Sequence, residues 1–253
     1  MKRRNIKMKI LFVIGLCLTL NIVTDIYAVQ KEEDVLEFVK ELEQMETTNQ
    51  KVAYLTFDDG PSIYTDDLLD VLAQYQVPGI FFVLGKQLEY VPEADLILNR
   101  MIEEGHHIAL HTMTHDKDAL YYSEKSPNVF KEEMFELKEK IKEKTGHETN
   151  LCRAPFGKER HFKLAHHKVV EDAGLYCVDW HVDSKDWEKT NAGQVYDEVL
   201  RQLEQVEEQG EIVLLFHEYQ RTVDVLPLVI ELLKERGYGF LPYVEGKVFE
   251  GLE

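Results

Sequence analysis

Cysteine is scarce in this sequence, and basic residues are far fewer than acidic ones. Its 253 residues include 29 Lys and Arg against 47 Asp and Glu, so the formal net charge is −18 at pH 7. Nucleic acids and anionic membrane surfaces both require a basic face, so this excess of acid argues against either one as a partner. Of the 3 cysteines, only Cys152 and Cys177 lie beyond residue 28, and two cysteines alone do not make a metal site.

Long apolar runs are also missing. The N-terminal run, residues 10–23, has 14 residues, whereas a membrane-spanning helix needs about 20. Basic residues precede this run, and the small residue Ala28 follows it as an acceptable signal-peptidase site. We therefore predict that residues 1–28 are an export signal or, alternatively, an uncleaved N-terminal anchor. Either one places the remainder outside the cytoplasmic membrane, secreted or anchored to its outer face, with membrane contact only through this segment.

The remaining chain divides into a short linker and one domain. Residues 29–50 are charged and carry apolar side chains at helical spacing, which predicts an acidic amphipathic helix or linker. Residues 51–253 are rich enough in apolar side chains for a full core, and we expect a monomer. Outside the membrane a disulfide between Cys152 and Cys177 is permitted. Both lie in apolar runs, so two buried free thiols fit the sequence equally well.

From residue 51 onward, short apolar runs alternate with segments of helical periodicity. The predicted strands are residues 52–57, 80–85, 107–111, 151–153, 175–180, 212–216 and 239–243. The predicted helices are residues 65–75, 93–104, 128–144, 163–173, 192–209 and 223–236. Such repetition is typical of βα units and a parallel sheet. Seven strands favour an α/β barrel that falls short of eight strands. The alternative is an open doubly wound sheet, although no Gly-rich phosphate loop follows the first strand.

Ionisable side chains follow five of the first six predicted strands, three times beside Gly, Pro or Trp. The segments are T-F-D-D-G-P-S at 56–62, H-T-M-T-H at 111–115, R-A-P-F-G at 153–157, D-W-H-V-D-S-K-D-W at 179–187 and L-F-H-E at 215–218. In parallel α/β folds the catalytic groups lie at the C-terminal ends of the strands. The pattern therefore predicts one active site built from all five segments.

A metal site is the chemistry that best fits two of these segments. His111 and His115 are four residues apart and can face one ion from a tight loop. A carboxylate from Asp58 or Asp59 would complete three ligands, and an open fourth position is typical of a catalytic zinc site. The remaining aspartate of the pair is then available as a base.

The five segments together resemble the motifs of the polysaccharide deacetylase family, also known as the NodB-homology or carbohydrate esterase 4 family. The resemblance covers roughly residues 51–248. It implies a distorted, incomplete (β/α) barrel with about seven parallel strands. It also implies a hydrolase that removes N-acetyl groups from the amino sugars of peptidoglycan, chitin or related glycans. Some members of that family remove O-acetyl groups from xylan instead.

The resemblance further implies a role for each matched residue. Asp59, His111 and His115 would be the metal ligands. Asp58 would be the general base, oriented by Arg153, and His217 would be the general acid, with Asp183 holding its ring. The substrate contacts would be Pro155, Phe156 (whose backbone N–H would help to hold the oxyanion), Trp187 and Leu215. Phe156 stands where the family more often has Tyr, and Glu218 stands where Asp is common.

The sequence therefore predicts an exported, metal-dependent N-deacetylase whose partner is an N-acetylated cell-wall or chitin-like glycan. The metal would be Zn²⁺, with Co²⁺ or Ni²⁺ as alternatives, because a His₂Asp site accepts several divalent ions. An O-acetyl carbohydrate esterase is the alternative reaction, and a non-catalytic glycan-binding protein is a further alternative. Of the other histidines, His147, His161, His166 and His167 are interpreted as surface residues, and His181 as a candidate for the edge of the cleft.

Overall fold

The computed structural model describes residues 51–206 and 209–252. The predicted signal or anchor at 1–28 and the predicted helix at 29–50 lie outside these residues and stay predictions. Within the two described ranges, no helix is both long enough and apolar enough to cross a membrane.

A parallel sheet forms the centre of the domain. Its strands are β1 Lys51–Gly60, β2 Gly79–Val83, β3 His107–Leu110, β4 Leu151–Cys152, β5 Tyr176–Cys177, β6 Val182–Asp183, β7 Glu211–His217 and β8 Tyr238–Phe240. There is one strand more than the sequence pattern indicates, because the stretch predicted as a single strand at 175–180 is followed by a separate two-residue strand, Val182–Asp183.

The strand order makes the sheet an incomplete barrel. The order is β5-β4-β3-β2-β1-β7-β6, β8 also pairs with β1, and every pairing is parallel. The two end strands, β5 and β6, are not paired with each other. The prediction of a distorted (β/α) barrel is therefore confirmed, and all strands end on the same side of the domain.

Helices connect the strands and cover the outside of the sheet. Among the described residues they are α1 Thr65–Tyr75, α2 Gln87–Tyr90, α3 Ala94–Glu103, α4 Lys117–Tyr121, α5 Ser126–Thr145, α6 Lys158–His161, α7 Leu164–Asp172, α8 Ala192–Leu203 and α9 Gln220–Glu235. The first predicted helix, residues 65–75, has the bounds that the structure shows for α1. Gly146 caps the C-terminal end of α5 with a φ of 73°, a value that suits glycine. Three helices of four or five residues, α2, α4 and α6, are too short to show a periodicity.

Two apolar clusters lie on opposite faces of the sheet. Side chains alternate along β1, so Ala53, Leu55 and Phe57 pack under the helices, whereas Tyr54 belongs to the smaller inner cluster. The C-terminal segment contributes Tyr243, Phe249 and Leu252 to that inner cluster, where the Phe249 ring lies 4.9 Å from the Tyr54 ring. The same alternation places Thr56 and Asp58 on the inner face, above Tyr54.

The buried cysteines are free thiols. Cys152 and Cys177 are paired residues of the neighbouring strands β4 and β5, and no disulfide joins them. Burial is the main cause that raises the pKa of the Cys152 thiol well above its ordinary value. The second of the two alternatives for these cysteines is therefore the observed one, and the Cys152 thiol keeps its proton at neutral pH.

One histidine interpreted as a surface residue lies in the interior. His166 is fully buried, its Nε2 is 3.0 Å from the carbonyl oxygen of Leu120, and its Nδ1 accepts a hydrogen bond from the backbone N–H of Lys163. A histidine whose two ring nitrogens both have hydrogen-bond partners can be buried at little cost in free energy. The interpretation of His166 as a surface residue is therefore wrong.

Candidate active site

A cleft of about 690 Å³ opens at the C-terminal ends of the strands. Its walls include residues from all five predicted segments. The predicted residues that line it are Asp58, Asp59, His111, His115, Phe156, Asp183, Trp187, Leu215 and His217. The structure thus brings together nearly all of the predicted site residues. His181 does not line the cleft, because its ring is held between the Val213 backbone N–H and the Glu250 carbonyl oxygen.

Three side chains in the cleft converge as a metal site would require. The Nε2 atoms of His111 and His115 each lie 3.5 Å from Oδ1 of Asp59. The register of β1 shifts between Asp58 and Gly60, and Asp59 has a φ of 70° there. Its side chain therefore points away from that of Asp58. This is the one group of His, Cys, Asp or Glu side chains in the described part of the chain whose geometry fits a metal ion.

The donor atoms of this triad are in the state that a cation needs. Oδ1 of Asp59 is buried and has no hydrogen-bond partner among the described residues, although it faces two imidazoles. Nδ1 of His111 lies 2.9 Å from the Arg153 carbonyl oxygen, which leaves Nε2 free for a ligand. Burial lowers the pKa of His111 to about 3, so the ring is neutral. These residues fit a divalent ion.

Asp58 is held by a buried guanidinium. Oδ1 of Asp58 accepts a hydrogen bond of 2.8 Å from Nη1 of Arg153, whose side chain is 0% exposed. Arg153 also donates to Thr56 Oγ1 and to the carbonyl oxygens of Val178 and Asp179, so it cannot rotate freely. Burial raises the pKa of Asp58, and the charge of Arg153 opposes that rise.

The partner of His217 is Asp186, which corrects the prediction of Asp183. Nδ1 of His217 lies 2.7 Å from Oδ1 of Asp186, and the buried Asp186 carboxylate also accepts hydrogen bonds from the His217 backbone N–H and the Thr222 hydroxyl. The Asp183 carboxylate instead accepts a hydrogen bond from the backbone N–H of Lys185, which turns it along its own loop. Asp183 ends β6 and Asp186 lies in the loop three residues later, so the sequence alone offers no signal to separate them.

The Asp186 carboxylate sets the charge of the His217 ring. Burial by itself would lower the pKa of His217, but the hydrogen bond and charge of Asp186, together with Asp58 and Asp59, raise it to about 9. His217 therefore carries a proton at neutral pH. Asp58 and His217 are paired residues of the adjacent strands β1 and β7, which places the carboxylate and the imidazolium on the same inner face.

The predicted substrate contacts differ in where the structure places them. Phe156 is 44% exposed and packs edge-on against His115, with ring centroids 4.5 Å apart. Trp187 is 53% exposed and Leu215 is buried, and both line the cleft. Pro155 does not line it, which corrects that prediction: it is buried, and its carbonyl oxygen accepts a hydrogen bond from the Tyr121 hydroxyl. Tyr121 is thus a packing residue.

Other residues line the cleft to which the sequence assigns no role, although Ala154, Gly157, Asp179, Trp180 and Lys185 lie within the predicted segments. The other residues are Lys117, Ala154, Gly157, Glu159, Arg160, His161, Asp179, Trp180, Lys185, Glu188 and Tyr219. Several come from α4 and α6, the short helices that carry no periodic signal. The interpretation of His161 as a surface residue is wrong, because its ring stacks on Tyr121 at 4.9 Å and lines the cleft.

Comparison with known proteins identifies the family. The family model described as polysaccharide deacetylase matches residues 45–178, more than half of the chain. The chain belongs to the polysaccharide deacetylase family. This membership confirms the predicted class of enzyme, a hydrolase that deacetylates polysaccharides.

Individual relatives of this polysaccharide deacetylase agree with that assignment. A peptidoglycan-N-acetylglucosamine deacetylase of Bacillus cereus is 30% identical over 253 residues, which cover 93% of this chain and 89% of the relative. A chitooligosaccharide deacetylase of a Bradyrhizobium species is 31% identical over 219 residues, 78% of this chain and 91% of the relative. The crystal structure of the polysaccharide deacetylase Bc1974 of Bacillus cereus superposes with a TM-score of 0.71 at 30% identity, covering 80% of this chain and 97% of that one.

Proposed function

We propose that this protein is an exported, metal-dependent N-deacetylase that acts on N-acetylated amino sugars of a cell-wall or chitin-like glycan. The relatives named above as peptidoglycan and chitooligosaccharide deacetylases support the substrate class. The basic N-terminal leader and the apolar run at 10–23 support export, because both belong to secretory signals.

One observation carries the proposal. The Asp58 carboxylate, the protonated His217 ring and the triad of Asp59, His111 and His115 share one cleft. Amide hydrolysis needs a base for water, an acid for the amine and stabilisation of the oxyanion. Asp58 and His217 stand on adjacent strands beside the triad, so the base, the acid and the metal site can all act on a single acetamido group.

The metal ion is expected on Asp59, His111 and His115. When bound there, a divalent ion would polarise the acetyl carbonyl and lower the pKa of the attacking water. We propose Zn²⁺, because three nitrogen and oxygen ligands with an open position are typical of catalytic zinc, and Co²⁺ or Ni²⁺ as substitutes that the same ligands accept.

The protein groups then divide the proton transfers between them. Asp58 accepts the proton of the attacking water as the new C–O bond forms, and Arg153 keeps its carboxylate oriented. The backbone N–H of Phe156, which has no acceptor within the described ranges, is the proposed donor to the oxyanion. His217 gives its proton to the amine nitrogen as the C–N bond breaks. The products are acetate and a free amino sugar.

The O-acetyl esterase alternative uses the same groups with an alkoxide as the leaving group. An alkoxide leaves more readily than an amine, so the site chemistry permits both reactions. The choice between them rests with the substrate that the cleft binds, and the experiment below includes an arm for each.

Acetate release tests the proposal. The full chain, purified in mild detergent, would be treated with a chelator and then supplied with Zn²⁺ or Co²⁺. N-acetylglucosamine oligomers, intact peptidoglycan and acetylated xylan would serve as the three substrates. The expected result is release from at least one of the first two substrates, loss of that release with the chelator, and recovery with metal. Release from acetylated xylan alone would support the esterase instead. Release that a chelator does not affect would contradict the metal dependence.

A further inference from the structure

One wall of the cleft is positively charged, although the chain as a whole carries a net charge of −18. The wall is formed by Lys117 on α4 together with Arg160 and His161 on α6, and all three line the cleft. We refer to these three residues as the basic wall. Burial lowers the pKa of His161, and the charges of Lys117 and Arg160 lower it further, because both lie close to that ring.

Phe156 connects the basic wall to the metal triad. Nζ of Lys117 lies 5.1 Å from the centre of the Phe156 ring, a cation–π distance, and His161 packs edge-on against the same ring at 6.0 Å. The Phe156 ring also contacts the metal triad, because the His115 ring lies 4.5 Å from it. The basic wall therefore lies one aromatic side chain away from the proposed reaction centre.

Within the described ranges, no carboxylate neutralises the two cations of this wall. Neither Lys117 nor Arg160 forms an ion pair with any carboxylate of the described residues, whereas Lys185, the other lysine or arginine that lines the cleft, is paired with Glu198. Acidic side chains do line the cleft. Of these, Asp179 is occupied by the backbone N–H groups of Lys158 and Glu159 at the start of α6, and Glu159 makes no ion pair with Arg160.

We propose that the basic wall is a subsite for a carboxylate carried by the sugar unit next to the one that is deacetylated. This inference rests on the proposed function and narrows its substrate. Two unpaired cations beside the reaction centre attract an anion more strongly than a neutral sugar, because hydrogen bonds between two charged groups are stronger than those to a neutral hydroxyl. In peptidoglycan every second sugar bears a lactyl ether, which ends in a carboxylate or continues into a peptide with carboxylates of its own. Chitin has no such group.

The inferred subsite makes a quantitative prediction about selectivity. Loss of two partly exposed ion pairs should change the preference for an acidic substrate by about tenfold. The test variant is Lys117→Gln combined with Arg160→Gln. The matched control is Lys125→Gln combined with Lys168→Gln, which removes the same charge from exposed positions outside the cleft.

Three tetrasaccharides would be compared at equal length. They are a neutral N-acetylglucosamine oligomer, an alternating oligomer with free lactyl carboxylates, and the same alternating oligomer with its peptides attached. The wild type is expected to favour an acidic oligomer, more strongly at low salt than at 0.5 M salt. In the test variant the ratio of kcat/KM for the acidic oligomer to that for the neutral one should fall about tenfold, and in the control it should not fall. Whichever acidic oligomer is affected identifies the lactyl or the peptide carboxylate.

Calorimetric binding of the same oligomers keeps the subsite testable apart from turnover. Absence of acetate from every oligomer would overturn the proposed function, while a binding preference lost in the test variant would still support the subsite. An equal effect of the variant on neutral and acidic oligomers, or no effect on either, would overturn the subsite even if deacetylation is established.

Discussion

The Asp186 carboxylate holds His217 at two points, through a ring nitrogen at 2.7 Å and through the backbone N–H at 2.6 Å. Thr222, near the start of α9, donates a hydrogen bond to the same carboxylate, so Asp186 is itself held in place. This arrangement gives His217 the fixed orientation and the proton that a general acid requires.

Replacing Asp186 should shift the alkaline limit of activity. The pKa of His217 is raised to about 9, so the ring is charged below that pH and loses its proton above it. Asp186→Asn removes the charge that raises the pKa, so the alkaline limb of the kcat/KM profile should move toward neutral pH, and kcat at pH 8 should fall at least about tenfold. Asp183→Asn is the matched control and should leave the limb in place. A larger shift with Asp183→Asn would contradict the assignment of Asp186.

The metal should depend on His115. The variant His115→Ala removes one of three ligands, so metal affinity should fall by about 100-fold or more. The measurement is metal content after dialysis against a weak chelator, with a direct titration of Zn²⁺. His167→Ala, an exposed histidine outside the cleft, should retain the full metal content. A fully loaded His115→Ala protein would show that the triad is not the metal site.

Glu218 should make the stability of the metal-free protein depend on pH. The carboxyl is buried behind the Asp59 loop, where it accepts a hydrogen bond from Thr65, and its Oε1 has no hydrogen-bond partner within the described residues. Burial raises its pKa to about 7, against the effect of the Thr65 hydrogen bond. The folded state therefore holds this proton more tightly, and stability should decrease as pH rises from 4.5 to 7 and then level off.

The test of that prediction is Glu218→Gln, which keeps an acceptor for Thr65 but cannot ionise. Chemical denaturation of chelator-treated protein should find the variant about 1–3 kcal/mol more stable than the wild type at pH 8 and nearly equal to it at pH 4.5. A variant less stable than the wild type at pH 8 would mean that the ionised carboxylate is favoured in the fold.

Once the protein is unfolded, the cysteines should react with a thiol reagent as free thiols. Cys152 and Cys177 are both buried, so neither should react with a thiol reagent in the folded protein at neutral pH. In denaturant without reductant, the full chain purified under oxidising conditions should show all 3 cysteines reacting, with residues 1–28 confirmed present by mass spectrometry. A count of one would reveal a disulfide between Cys152 and Cys177.

The fold and the centre of the site could be predicted because both are encoded locally. Every strand of the barrel except β6 overlaps an apolar run, and Asp58, His111, Arg153 and His217 each stand at or just beyond the end of one such run. Parallel strands end on one side of a sheet, so locating these residues in the sequence already placed them together. The predicted number of strands was one too low, because a two-residue strand such as Val182–Asp183 has no periodicity to detect.

Features that depend on distant partners could not be predicted in this way. The choice of Asp186 over Asp183 depends on Thr222, which belongs to a helix beyond the next strand. The basic wall depends on Lys117 and Arg160, which are far apart in sequence and become neighbours only when α4 and α6 pack around Phe156. Pairing of this kind arises from tertiary structure and leaves no trace in the local pattern.

The most direct test of the account compares Asp58→Asn with the wild type for metal content, acetate release and free amine release together. Asn keeps the size of Asp58 and can still contact Arg153, but it cannot accept the proton of water. The wild type should release equal amounts of acetate and free amine. The variant should bind the same amount of metal and release less than about 1% of either product, because general-base catalysis contributes roughly 100-fold or more. Substantial release by a fully metal-loaded Asp58→Asn protein would contradict the central claim that Asp58 is the base.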